Sequence, residues 1–214
     1  MSFKTFAVEA LANYKTTGAV APSSRYLARA MLLPLTLRPG CVVVELGAGT
    51  GVMTQALLDI LPADGALFAF EINGRFYEYL KKKFSDKRLV LLKTRAEHLK
   101  KELHKRGYRH VDAVVSSLAL GFFSDHERRA LLDSFVPLMD DNSVYTQYQY
   151  IQGLELKNGR FRRFNIQSLL HQYFYSVQCN TVWRNIPPAF VYACRKRGIL
   201  AGRGLTSAHS SAVH

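Results

Sequence analysis

Residues Cys41-Val42-Val43-Val44-Glu45-Leu46-Gly47-Ala48-Gly49-Thr50-Gly51, running on into Val52-Met53-Thr54-Gln55-Ala56-Leu57-Leu58, constrain this chain more than any other stretch. An apolar run rich in β-branched residues suits a buried parallel strand. Three alternating glycines then suit a tight turn, and the residues after them suit a helix. Glycine fits such a turn because it takes positive φ without strain, and because a missing Cβ lets the backbone lie against a ligand. This is a nucleotide-cofactor turn, and the glycines alone leave its ligand open.

Two carboxylates narrow the ligand. A dinucleotide site has Gly-x-Gly-x-x-Gly or Ala, with a pyrophosphate on the helix N-terminus. Here the sixth position is Val52, and Glu45 stands two residues before the first glycine. A carboxylate there would repel a pyrophosphate and suit a ligand carrying an ammonium or sulfonium group. The next apolar run, Ala66-Leu67-Phe68-Ala69-Phe70, ends in Glu71, where a ribose diol would bind. Glu45-x-Gly-x-Gly-x-Gly followed by a strand-end Glu71 resembles motifs I and II of the class I S-adenosylmethionine-dependent methyltransferases. The resemblance implies S-adenosyl-L-methionine as cofactor and S-adenosyl-L-homocysteine as product. It assigns Glu45, Gly47, Gly49 and Gly51 to the amino-acid portion, Glu71 to the ribose and Ile72 to the adenine face. Ala96 and Glu97 fall at the adenine-amino position, and Ser116, at the end of the fourth strand, completes the cofactor set. Glu97 reads equally well as an acid in the first turn of a helix, where the dipole favours it.

A length of 214 residues suits one α/β domain. Lys+Arg 29 against Asp+Glu 16 gives a net charge of +13, which favours an anionic partner, either nucleic acid or anionic lipid. Cys41, Cys179 and Cys194 lack metal-ligand spacing and read as small buried hydrophobes of a reducing compartment, so no metal site is expected. Glu9 interrupts the N-terminal apolar stretch, and no uncharged run approaches the roughly 18 residues of a membrane span, so neither signal peptide nor transmembrane helix is expected.

Three regions are expected: residues 1–34 as a helical lid or membrane-contact segment, 35–197 as the methyltransferase domain, and 198–214 as a disordered tail. Phe3, Phe6, Ala7, Ala10, Leu11 and Tyr14 recur at helical spacing. That helix reads as packed on the domain's own core, or as a cofactor lid or interfacial helix. A second helix spans Tyr26 to Leu33, with Ser23 or Ser24 as N-cap. Beyond the first strand, helices at Val52–Leu61, Gly74–Phe84, Ala96–Arg106 and Asp125–Pro137 alternate with strands at Ala66–Glu71, Leu89–Lys93, Val111–Ser116 and Val144–Tyr150. Such alternation predicts right-handed βαβ units and a parallel sheet covered on both faces. Gln152 to Phe164 reads as a polar, basic segment with an Asn158-Gly159 turn. Asn165 to Gln172 reads as a short helix. Two β-rich runs, Tyr173–Trp183 and Ala189–Cys194, are joined by Asn185-Ile186-Pro187-Pro188, a connection short enough only for an antiparallel pair. The resulting fold class is a Rossmann-like α/β methyltransferase: a seven-stranded, mostly parallel sheet with an antiparallel last strand, plus N-terminal amphipathic helices.

The fourth strand bears on the substrate. Methyltransferases that act on an exocyclic adenine or amide nitrogen carry Asn/Asp-Pro-Pro-Tyr there, to accept hydrogen bonds from a planar NH2. This chain has Ser116-Ser117-Leu118-Ala119-Leu120. An aliphatic amine needs no such polarisation; it needs a pocket that tolerates a bulky cation, which aromatic faces supply. Alternation puts Tyr148 and Tyr150 on one face of the fifth strand, with Gln147 and Gln149 opposite, although tyrosines also pack in strands for purely structural reasons.

Gly18-Ala19-Val20-Ala21-Pro22-Ser23-Ser24-Arg25, Ser116-Ser117-Leu118, Gln147-Tyr148-Gln149-Tyr150 and Asn185-Ile186-Pro187-Pro188-Ala189 together resemble the bacterial phospholipid N-methyltransferases. These enzymes convert phosphatidylethanolamine stepwise to phosphatidylcholine and are distantly similar to the rRNA adenine dimethyltransferases. The resemblance covers most of residues 5 to 196. It departs at Leu118-Ala119, where the family usually has proline after the leucine, and at Tyr148 and Gln149, where it has Phe and Thr. It implies a monomer, peripheral on the inner, cytoplasmic face of the membrane, with phospholipid as substrate. Tyr148, Tyr150 and Tyr26 serve the amine, and Ser24, Arg25, Arg184 and Asn185 bind the headgroup. Arg160, Arg162 and Arg163 are candidates for docking on anionic lipid, or a solvated surface loop. An RNA adenine N6-methyltransferase is the alternative, favoured by charge and opposed by the absent fourth-strand motif.

Overall fold

A computed structural model describes residues 25–150, 154–157, 160–163 and 165–196. The N-terminal helix expected around Phe3 to Tyr14, the caps Ser23 and Ser24 with Ser24's substrate role, the Asn158-Gly159 turn and the 198–214 tail lie outside the described residues.

The first described element is α1 (Arg25–Leu32). Alternation follows through β1 (Val42–Leu46), α2 (Val52–Ile60), β2 (Ala66–Phe70), α3 (Gly74–Lys83), β3 (Leu89–Leu92), α4 (Leu99–His104), β4 (Ala113–Ser116), α5 (Asp125–Phe135) and β5 (Val144–Tyr150). The remainder is β6 (Leu154–Lys157), β7 (Arg160–Arg163), α6 (Gln167–Tyr173), β8 (Ser176–Val182) and β9 (Ala189–Arg195). The sheet is seven-stranded, in the order β3-β2-β1-β4-β5-β9-β8. Its first five strands are parallel, and β9 runs antiparallel to both β5 and β8. The expected class, including the reversed last strand, is what the chain adopts. The polar, basic segment from Gln152 to Phe164 contains the antiparallel pair β6–β7, with Glu155 opposite Arg162 and Leu156 opposite Phe161. The expected 96–106 helix is a 3-10 turn at Ala96–His98 leading into α4.

Strand alternation divides the core. Val42, Val44, Leu46, Phe68, Phe70 and Val114 face α4, α5 and α6 through Leu99, Leu103, Leu131, Phe135 and Leu170. Val43, Leu67, Ala113 and Val115 face α1 and α2 through Leu27, Met31, Met53 and Leu57. Leu80 brings α3 onto Ala48 and Ala69 on that second side. Full burial of each large side chain contributes roughly 1.5–3 kcal/mol, enough in aggregate to offset chain entropy. Local signals set the helix starts. Asn73 Oδ1 accepts from the backbone of Arg75 and Phe76 at the head of α3, and Ser124 with Glu127 forms a capping box at the head of α5.

This topology gathers one functional edge. Parallel strands β1, β2, β4 and β5 all end there, and β9 begins there because Ala189 pairs with Tyr150. The Trp183–Pro188 turn therefore lies at the same edge as the glycine turn. Among the described residues, no helix is long and apolar enough to cross a membrane.

Candidate active site

At the end of β1 the chain turns on three positive-φ glycines, and their surroundings differ. A Cβ on Gly51 (φ 78°) would come within 2.6 Å of Phe84 Cε2 and 2.7 Å of Leu80 Cδ2, so this position sets how closely the turn packs on α3. A Cβ on Gly49 (φ 54°) would meet nothing within 4 Å, so that side of the turn is open. The first turn residues are tied to β2: Gly47 and Ala48 N–H both donate to the Phe70 carbonyl, at 2.9 and 3.2 Å.

Two carboxylates sit under and beside this turn. Alternation along β1 sends Glu45 to the α2 face, where it is 0% exposed and its Oε2 accepts from Thr54 Oγ1 at 2.7 Å. Among the described residues its Oε1 has no hydrogen-bond partner. Desolvation, with a contribution from nearby Glu71, pushes the Glu45 carboxyl up to about 7. Glu71 is also buried and raised by burial, but its oxygens are occupied: Oε2 accepts from Gly49 N–H at 2.8 Å and Oε1 from Asn73 N–H at 2.7 Å. Each carboxylate oxygen has a second lone pair, so Glu71 can hold the turn and still accept from a diol.

Ile72 follows at the rim and is half-exposed, as a face against a planar ring requires. Ala96 and Glu97 occupy the 3-10 turn after β3, and Glu97 is engaged by Arg95 through bonds of 2.7 and 3.3 Å. Ser116 is buried at the end of β4, with its Oγ 3.4 Å from Leu118 N–H.

The β4–β5 end is braced by two residues to which the sequence assigns no role: Gln147, named only within its motif, and Arg128. Gln147 Nε2 donates to the Leu118 carbonyl at 3.0 Å and its Oε1 accepts from Tyr145 OH at 2.9 Å. Arg128, 2% exposed, donates through Nε to the Leu120 carbonyl at 2.8 Å and pairs with Asp125 at 2.8 Å. The only sequence trace of Arg128 is its Asp125 three residues earlier on a helix, an ordinary surface pattern.

On the α1 side of the same edge, Tyr148 and Tyr150 meet edge to face, with ring centroids 5.3 Å apart. Desolvation, followed by Tyr150, holds the Tyr148 hydroxyl well above the usual phenol range, so it stays protonated. Tyr26 lies in the first turn of α1, and two guanidiniums flank its ring: Arg25 Cζ lies 5.3 Å and Arg184 Cζ 5.5 Å from the centroid. Arg25, through a hydrogen bond and its charge, and then Arg184 lower the Tyr26 phenol. Three expected substrate residues from opposite ends of the chain thus converge. Asn185, by contrast, is buried and its Nδ2 donates to the Pro187 carbonyl at 2.6 Å, which builds the turn that carries Arg184.

Residues 43–142 match the family model described as "Methyltransferase domain". The solved 1,6-didemethyltoxoflavin-N1-methyltransferase of Burkholderia thailandensis, with bound 1,6-didemethyltoxoflavin and S-adenosylhomocysteine, superimposes with a TM-score of 0.63 at 16% identity over 92% of each chain. Precorrin-6y C5,15-methyltransferase of Geobacter metallireducens gives 0.59 at 15% identity, over 84% of this chain and 92% of that one. Residues 43–142 thus carry a methyltransferase domain, and the chain has the Rossmann-like class I methyltransferase fold. Among curated proteins it is 27% identical over 182 residues to the ornithine lipid N-methyltransferase of Singulisphaera acidiphila, covering 82% of this chain and 86% of that protein.

The residues of this methyltransferase fit its cofactor. The unpartnered Oε1 of buried Glu45 suits a cationic ligand group, and the open side of Gly49 leaves backbone available for close approach. Glu45 and the glycine turn would hold the amino-acid portion, Glu71 the ribose and Ile72 the adenine. When bound, S-adenosylmethionine supplies an electrophilic sulfonium methyl group. The chain's own task is to position a nucleophile beside it and exclude water. Among the described residues, no group of three or more His, Cys, Asp or Glu could hold a metal ion.

Proposed function

We propose that this methyltransferase N-methylates the amine headgroup of phosphatidylethanolamine and its methylated intermediates toward phosphatidylcholine, working peripherally on the cytoplasmic face of a membrane. The observation that carries the reading is the pairing of two chemistries at one strand edge. The Tyr148–Tyr150 pair offers aromatic faces to an ammonium, and the Arg25–Tyr26–Arg184 cluster offers two guanidiniums to an anion. A zwitterionic aminolipid carries both groups. The similarity to an ornithine lipid N-methyltransferase over most of both chains supports a lipid amine as substrate.

The chain's residues act by positioning. Protonated Tyr148 serves as a ring face and as a hydrogen-bonding relay, not as a base. Tyr26, its phenol lowered by Arg25 and Arg184, sits at the solvent edge. Because the reacting amine must be neutral, kcat/KM should climb about tenfold per pH unit below the pKa of the lipid amine.

The test is transfer of label from methyl-labelled S-adenosylmethionine, with phosphatidylethanolamine vesicles, ornithine lipid vesicles and total RNA offered together and then separated. Label in phosphatidylethanolamine, resolved as mono-, di- or trimethylated headgroup, supports the reading. Label in ornithine lipid alone moves the substrate to that aminolipid, and label in RNA alone overturns the proposal.

A further inference from the structure

Next to the amine edge a single turn presents two strongly exposed large apolar side chains. Trp183 is 72% and Ile186 80% exposed, separated by Arg184 and by Asn185, which is buried. The turn leads directly into Ala189, the partner of Tyr150 in the sheet, so whatever covers it lies beside the amine pocket. The elements that form this edge carry no acid. No Asp or Glu follows Glu155 in the sequence, and between Met1 and Val44 the sole acid is Glu9, so α1, β8, β9 and the turn between the strands contribute only neutral and cationic side chains.

We infer that the Trp183–Ile186 turn is a membrane-docking tip, inserting Trp183 and Ile186 into the interface of an anionic bilayer while Arg25 and Arg184 meet its headgroups. The inference deepens the lipid reading above and rests on it for the identity of the surface. Three properties favour a bilayer. Tryptophan suits the headgroup level, with an apolar ring and one N–H donor. The turn's own polar groups are largely provided for, because Asn185 N–H donates to the Val182 carbonyl, Asn185 Nδ2 covers the Pro187 carbonyl, and Pro187 and Pro188 have no N–H to desolvate. The isoleucine at the apex offers hydrophobic area but no ring for stacking on a base, which separates the tip from a single-strand nucleic-acid platform. Docking here would hold the edge bearing Tyr148 and Tyr150 against the headgroup layer, where a lipid amine can reach the site without leaving the membrane.

The test uses the chain's single tryptophan as its own probe. Trp183 emission is followed in the full-length protein on titration with vesicles of phosphatidylglycerol and phosphatidylcholine that contain no methyl acceptor, then with brominated phosphatidylcholine. A blue shift with bromine quenching is expected. Replacing Ile186 by Ser should weaken vesicle affinity roughly tenfold, and R184Q about fivefold, while S-adenosylmethionine affinity of I186S stays unchanged. Vesicle co-sedimentation without a tryptophan shift, or a shift produced by RNA and not by vesicles, overturns the tip. Lipid methylation with silent Trp183 removes the tip and leaves the function standing. A shift without lipid methylation supports the tip and removes the function.

Discussion

The two ends of the strand edge are built on opposite principles. At the β1–β2 end, recognition is made of backbone and two enclosed carboxylates: Glu45 is fully buried, and Glu71 is tied to Gly49 N–H. At the β5–β9 end it is made of exposed rings and cations, with Tyr26, Arg25, Arg184 and Trp183 on elements that carry no acid. An enclosed site suits a small cofactor that must be held in one pose and shielded from water. An open, cationic edge suits an acceptor that arrives as part of a large anionic surface. The contrast implies that each end can be damaged without the other.

The sharpest break is at Gly51. Gly51→Val puts a Cβ where Phe84 Cε2 and Leu80 Cδ2 lie 2.6 and 2.7 Å away, at a φ of 78°. A loss of about 3 kcal/mol is expected, read by calorimetry as a melting point lower by roughly 6–12 °C. A neutral outcome would show that the turn does not pack on α3 as described.

Glu45 gives a pH signature. Its folded pKa is raised from 4.5 to about 7, so the native state holds the proton more tightly than the unfolded chain. The stabilisation is fully present below pH 4.5 and is lost as pH rises through about 7. Cofactor-free wild type should therefore lose stability across that window, whereas Glu45→Gln should not. Affinity for the cationic cofactor should move the other way, rising through about pH 7 in the wild type and staying flat in the variant, as read by titration calorimetry. Parallel pH profiles for the two proteins would remove Glu45 from cofactor binding.

At the opposite end, Tyr150→Ala should lower methyl transfer about thirtyfold, in line with a desolvated cation–π contact of about 2 kcal/mol, and leave cofactor affinity untouched. Tyr148→Phe keeps the ring and should cost less. Equal losses of cofactor affinity and turnover would merge the two ends. The smallest effect is expected away from both: Ser124→Ala removes one half of the α5 capping box and should cost about 1 kcal/mol, with turnover preserved.

The cofactor end was the legible one, because its signal is local. Alternating glycines and an acid two residues earlier fix a turn by φ and missing Cβ atoms, and Glu71 follows from the next strand's end. The substrate end depends on where β9 inserts. Arg184 reaches Tyr26 because β9 pairs with β5 and α1 packs across both, a relation that no spacing in the sequence expresses. The same holds for Gln147, which braces the loop after β4 only through the β4–β5 pairing. The motif assigns Asn185 to the headgroup and says nothing of the bond by which its side-chain amide closes its own turn on Pro187. The β6–β7 hairpin is masked by its charge, although Leu154-Glu155-Leu156-Lys157 alternates strictly and Arg160-Phe161-Arg162 alternates until Arg163 breaks the pattern.

The most direct test is the initial rate of label transfer from saturating methyl-labelled S-adenosylmethionine into phosphatidylethanolamine vesicles containing anionic lipid, for the wild type and the R25Q/R184Q variant. The account predicts a loss of lipid methylation beyond tenfold in the variant with an unchanged KM for S-adenosylmethionine. Equal rates on lipid, or a KM for the cofactor that rises in step with the loss, would contradict it.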